Sequence, residues 1–147
     1  MLFRSSGPVI SYTKPNNQLC TTGFTLNGVI ITDPSGVNTT AGTKPRFYYR
    51  KSTSANTFND NTNATDGWKY VEASNSSSPF SFAADFTLLN VAPVAGDSIY
   101  YFVVAQDNAS TPNVGYNNAA GLFAIDPTTV SVGASSFPLT EIGRAHV

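Results

Sequence analysis

Histidine, cysteine, methionine and tryptophan occur only once each among 147 residues, and charged side chains make up just 12% of the chain. Each scarcity excludes something. A single cysteine, Cys20, rules out an internal disulfide and a cysteine-built zinc site. It reads as a small half-buried residue, with an intermolecular bridge as the sharper alternative. The one histidine, His146, falls in the last seven residues. The rest of the chain therefore holds no Ser-His-Asp or Cys-His arrangement and no histidine-built metal site. Eight basic residues stand against nine acidic ones, for a net charge of −1 with no block of like charge. Nucleic acid is excluded as a partner, because it demands a basic patch. No apolar run reaches the ~18 residues of a membrane-spanning helix, so no membrane insertion is expected. The opening Met1-Leu2-Phe3-Arg4 is too short for a signal peptide. Either the protein is cytosolic or the sequence is a piece of a longer one.

What fills the gap is Ser, Thr and Asn, with aromatics at 12% and hydrophobic residues at 41%. That is globular, not disordered, composition. Neutral polar residues in place of charge suit a secreted or cell-surface module. The longest β-prone run is residues 96–107, GDSIYYFVVAQD. Ile99 to Val104 are all β-branched or aromatic, and alternation puts Ile99, Tyr101, Val103 and Ala105 on one face. Tyr100, Phe102, Val104 and Gln106 take the other, so this is a central strand.

The remaining elements follow from alternation and punctuation. Residues 9–13, 23–32, 46–51, 67–73 and 80–86 read as strands, with weaker candidates at 121–125 and 129–132. Residues 52–66 and 108–118 read as long polar loops, the first with Phe58 tucked in. Gly28 marks a bulge or a close approach. Asp33-Pro34-Ser35-Gly36 is a turn in which Gly36 takes positive φ. No helical period of apolar residues appears. The expectation is an all-β fold of about seven antiparallel strands, a β-sandwich with residues 1–8 as a lead-in and 9–139 as one domain. Its core would hold the first face of residues 99–105 with Phe24, Leu26, Ile30, Phe47, Tyr49, Phe80, Phe82 and Phe86.

Chemistry is sparse. There is no phosphate-cradling glycine motif. Seven Asp and Glu72 lie outside the last seven residues. Two carboxylates would suffice for a small hydrolase, but these acids sit at turns and strand ends, where turn chemistry explains them. Asp33, Asp107 and Asp126 could converge at one end of a sandwich as oxygen ligands for calcium, yet no D-x-D-x-D-G pattern is present. No catalytic residues, metal or cofactor are therefore expected. N-x-[ST] triplets at Asn38, Asn63, Asn75 and Asn108 arise by chance in such a composition. The best functional lead is aromatic. If Phe47 and Tyr49 face in, then Tyr48, Trp68, Tyr70, Tyr100 and Phe102 share an outer face, flanked by Arg46 and Arg50. Such a strip would stack on sugar rings or a partner protein. Otherwise the loop 52–66 folds over it through Phe58 and makes a second small core.

The pattern Gly96-x-x-Ile99-x-Tyr101-x-Val103-x-Ala105-x-Asp107 resembles the G-x-x-Y-x-V-x-V-x-A-x-N run of fibronectin type III and related immunoglobulin-like modules. GPVISYT, VIITDPSGVNTTAGTKPRFYYRKS, GWKYVEA with SPFSFAADFTLL, AGDSIYYFVVAQDNASTPNVGYN and the trailing SSFPL are similar to Ig-like repeats in large secreted surface proteins of Bacteroidetes exported by the type IX route. The resemblance implies an Ig-like sandwich at an extracellular or cell-surface location. It implies a spacer, adhesion or ligand-presenting role beside neighbouring repeats, with surface glycan or protein as the partner, and it supplies no catalytic residues. The alternative is a carbohydrate-binding accessory domain of a secreted hydrolase. Ile99 stands where the family has its corner tyrosine, so that hydrogen bond is lost. Residues 141–147, EIGRAHV, resemble a translated sequencing adaptor. On that reading residues 140–147 are a non-native, loosely packed tail, and the biological sequence stops near Thr140, cut from something longer.

Overall fold

A computed structural model of the chain describes residues 7–13, 15, 22–116 and 144–146. They form an all-β structure of two antiparallel sheets whose facing sides share a core, in the manner of a β-sandwich. β1 (Val9–Ser11), β2 (Gly23–Thr32) and β5 (Phe80–Asp85) make one sheet in the order β1-β2-β5. β4 (Lys69–Glu72), β3 (Arg46–Lys51), β6 (Ser98–Gln106) and β7 (Val114–Tyr116) make the other, in the order β4-β3-β6-β7. β8 (Arg144–His146) pairs with the first residues of β6. The only helical element among the described residues is a 3-10 turn, Phe86–Leu88.

Burial follows the period-two pattern that alternation requires. β5 buries Phe80, Phe82 and Ala84 and turns Ala83 and Asp85 outward. β3 and β6 are covered on both faces; the run Ile99 to Val104 in β6 requires it, while β3 reaches it with its charged Arg46, Arg50 and Lys51 buried beside Phe47, Tyr48 and Tyr49. Across the layers Phe47 of β3 meets Phe24 at 5.7 Å edge-on and Phe82 at 6.1 Å between ring centroids. Tyr101 lies 5.4 Å from Phe47 on the same sheet. Aromatic pairs at these separations add about 0.5–1.5 kcal/mol each beyond area burial.

One expected core residue is corrected. Ile30 is 43% exposed, and Val29 and Ile31 are buried in its place. The cause is a bulge. Leu26 pairs with Phe82 but Val29 pairs with Phe80, so β2 carries one extra residue between them. Gly28 sits there at φ +69°, the left-handed region that glycine enters without penalty. The extra residue reverses the facing of every β2 residue after it, so Val29 and Ile31 turn inward and Ile30 outward. Gly36 takes φ +85° and its N–H donates to the Asp33 carbonyl at 3.0 Å, the expected turn.

Two further differences concern the far end. The stretch 108–118, read as loop, contains β7, which pairs Val114–Tyr116 with Val104–Gln106. Residues 144–146, expected to pack loosely, instead form β8 beside Ser98–Tyr100. β7 leaves that part of the β6 edge open, and an open edge is a template of unpaired N–H and C=O groups for any nearby extended segment. The strand candidates at 121–125 and 129–132, Cys20 and Asp126 lie outside the described residues.

A phenol joins the layers. The Tyr49 hydroxyl donates to the Asp85 carbonyl at 2.5 Å and accepts from the Asp85 N–H at 3.3 Å. Asp85 in turn caps the 3-10 turn, its carboxylate accepting from the Thr87 N–H and hydroxyl. Burial pushes the Tyr49 hydroxyl well above the ordinary tyrosine value, only partly opposed by the bond to Asp85. Ile99 is fully buried in the same core.

Candidate functional site

The outer face of the larger sheet gathers the predicted residues as alternation requires. Cross-strand register places Tyr48 opposite both Tyr70 and Phe102, and Arg50 opposite Tyr100. Tyr48 stacks on Phe102 at 5.1 Å and 9° between planes. Trp68 meets Phe102 edge-on at 5.0 Å. The Arg46 guanidinium lies 4.1 Å over the Tyr70 ring, and Arg50 lies 5.1 Å from Trp68 and 5.0 Å from Tyr100. All seven residues therefore do come together.

Of the two expected arrangements, the covered one is found. Tyr48 and Phe102 are 0% exposed and Trp68 is 2% exposed; Arg46 and Arg50 are buried, and Tyr70 and Tyr100 are half-buried. Tyr48, Trp68, Phe102 and Val104 form a second apolar cluster, against which Tyr70 and Tyr100 pack, with Phe58 from the loop 6.2 Å from Tyr48 and 6.0 Å from Tyr70. The loop 52–66 is the cover, and its polar composition is what fastens it.

Four sets of bonds hold that cover. The Asn61 side-chain amide pairs with Tyr70 as a strand would, accepting its N–H at 2.8 Å and donating to its carbonyl at 3.0 Å. The Trp68 N–H donates to the Thr57 carbonyl at 2.8 Å and the indole N–H to Asn56 at 2.8 Å. The outer edge of β4 is thereby closed without a further strand. Lys69, fully buried, sends its ammonium to the Asp60 carbonyl at 2.8 Å, Thr65 Oγ1 at 3.1 Å and the Asp60 carboxylate at 3.4 Å. Thr62 donates both hydroxyl and N–H to Asp60, holding its carboxyl down at about 2. Arg50 spans the loop's start, donating to the carbonyls of Lys51, Ser52 and Ser54. Burial draws Arg50 below its ordinary value, against the pull of Tyr100 and Asp66.

The acids at the opposite end are committed to turns. Asp107 is fully buried and accepts from the Ala109 and Asn113 N–H groups and the Asn113 amide. Asp33 accepts from the Ser35 N–H at 2.7 Å. Among the described residues no group of three or more His, Cys, Asp or Glu gathers to hold a metal. No helix of the described residues is long and apolar enough to cross a membrane.

Sequence reasoning missed a cleft of about 340 Å³ at that same end. The turn after β2 and the serine run before β5 form its walls, with Ile31, Val37 and Phe80 beneath. Its only sequence signals are two turn-forming stretches, DPSG and NSSSP, 39 residues or more apart in the chain, and nothing local says that they meet. Comparisons with known protein families, curated proteins and solved structures find no match.

Proposed function

We propose that this chain is a non-catalytic extracellular or cell-surface module of immunoglobulin-like, fibronectin type III-like kind, serving as an adhesion or spacer unit in a larger bacterial surface protein beside neighbouring repeats. The observation that carries the reading is the strand order of the two facing sheets, which supports the Ig-like kind: β1-β2-β5 and β3-β6-β7 run as the A-B-E and C-F-G sets do, with β4 at the C′ edge. The commitment of Asp33, Asp60, Asp85 and Asp107 to backbone groups supports the non-catalytic part. The accessory sugar-binding alternative loses its aromatic platform, since the strip is covered.

Joining two copies head to tail tests the spacer reading. Small-angle scattering should give a maximum dimension about twice that of one copy. A pair that collapses side by side to little more than the single-copy length would contradict it.

A further inference from the structure

We infer that the cleft between the turn 33–39 and the serine run 76–78 is a binding site for a neutral saccharide unit. This rests on the adhesive half of the reading above. A module that only spaces would leave the cleft empty yet keep the extended tandem shape, so the two failures are separable.

Three features of the cleft point to this ligand class. The first is its rim. The Thr32, Thr39, Ser76 and Ser77 hydroxyls make no hydrogen bond among the described residues, and Asp33 spends one oxygen on the Ser35 N–H while the other accepts none. A carboxylate beside free hydroxyls accepts from a diol and exchanges hydrogen bonds with further hydroxyl groups. The second is its floor. Val37, half-buried and packed against the core that holds Ile31 and Phe80, gives an apolar base under a polar rim, as the C–H face and hydroxyl edge of a pyranose require. The third is charge. No Lys, Arg or His lines the cleft, while Asp33 does, so phosphate, uronate or sialate would meet repulsion with no counter-charge. The volume, about 340 Å³, sits at the small end of ligand sites, which run from about 300 to 1,000 Å³. That suits one sugar residue at a chain end rather than a polymer groove.

The walls are held before any ligand arrives. The Ile31 N–H donates to Ser78 Oγ at 3.1 Å, tying the serine run to β2. The Asn75 amide bonds to the Ser77 and Pro79 carbonyls and accepts from the Ser81 N–H. On the other wall Gly36 is fixed to Asp33 and to Asn108. A preformed site loses little ordering entropy on binding.

The test is an amide ¹H–¹⁵N titration of the whole chain with the methyl glycosides of glucose, galactose, mannose and N-acetylglucosamine, and with methylammonium. At least one glycoside should give saturable shifts confined to residues 31–39 and 76–80. Asp33→Asn keeps an oxygen for the Ser35 N–H, so the turn survives, but loses the charged acceptor. It should weaken that binding about tenfold, the worth of a charge-assisted hydrogen bond. Thr39→Val should weaken it less. The proposal fails if no glycoside shifts these amides, if the shifts fall around Trp68 instead, or if Asp33→Asn binds as tightly as the parent. Saturable shifts with methylammonium alone would reassign the cleft to cationic ligands and equally overturn it.

Discussion

Tyr49 shows how much one side chain carries that alternation does not reveal. Its inward facing was legible from the RFYYRK run, because Phe47 and Tyr49 must share a face. Its partner was not, since Asp85 lies 36 residues on and only the layer packing brings the two together. Tyr49→Phe keeps the ring in the core and leaves the Asp85 carbonyl without this donor, so it should cost about 1–2 kcal/mol in a urea titration. The same substitution has a pH signature. Because the folded hydroxyl titrates above its ordinary value of 10, its contribution is fully present below about pH 10 and is lost as pH rises through the folded value. The parent should therefore lose stability faster than Tyr49→Phe above about pH 10, and parallel curves there would count against the buried hydroxyl. Gly36 is the opposite case: its positive φ followed from Asp33-Pro34-Ser35-Gly36 alone, because turn chemistry is local.

At the scale of elements, strands with one wet face were the most legible, and those with a bulge or a cover the least. β5 alternates as written, while β2 reverses its facing after Gly28 and so exposes Ile30. The five aromatics share the outer side of the larger sheet, Tyr48 on β3, Tyr70 on β4, Tyr100 and Phe102 on β6 and Trp68 just before β4. Their accessibility was not fixed by that, because burial depends on where residues 52–66 go. A stretch of Ser, Thr, Asn and Asp looks like solvated loop, yet here it supplies the hydrogen bonds that an edge strand lacks. Asn61 is the sharpest example, standing in for a neighbouring strand at Tyr70. Asn61→Ala should leave two backbone groups of Tyr70 without these partners and cost about 1–3 kcal/mol. Hydrogen exchange should quicken at Tyr70 and across the loop, with the amides of β2 and β5 unchanged. Unaltered exchange at Tyr70 would mean that the loop does not close this edge.

For the molecule as a whole, the all-β class and two-layer architecture followed from turn spacing and the absence of a helical period. The pairing at the far edge did not, since β7 is three residues of weak pattern inside a polar stretch and β8 is three residues that do not continue the alternation of the earlier strands. The central claim is that the larger sheet is packed on both faces, with an inner core shared between layers and an outer one sealed by its own loop. Trp68 is the single tryptophan and belongs to the outer cluster, so it reports on that seal alone. The most direct measurement is iodide quenching of its fluorescence in the native protein, with the urea-unfolded chain as reference. The structure predicts blue-shifted emission and a native quenching constant a small fraction of the unfolded one. Native quenching as strong as in the unfolded chain would show the strip open to solvent, and the second core would not exist.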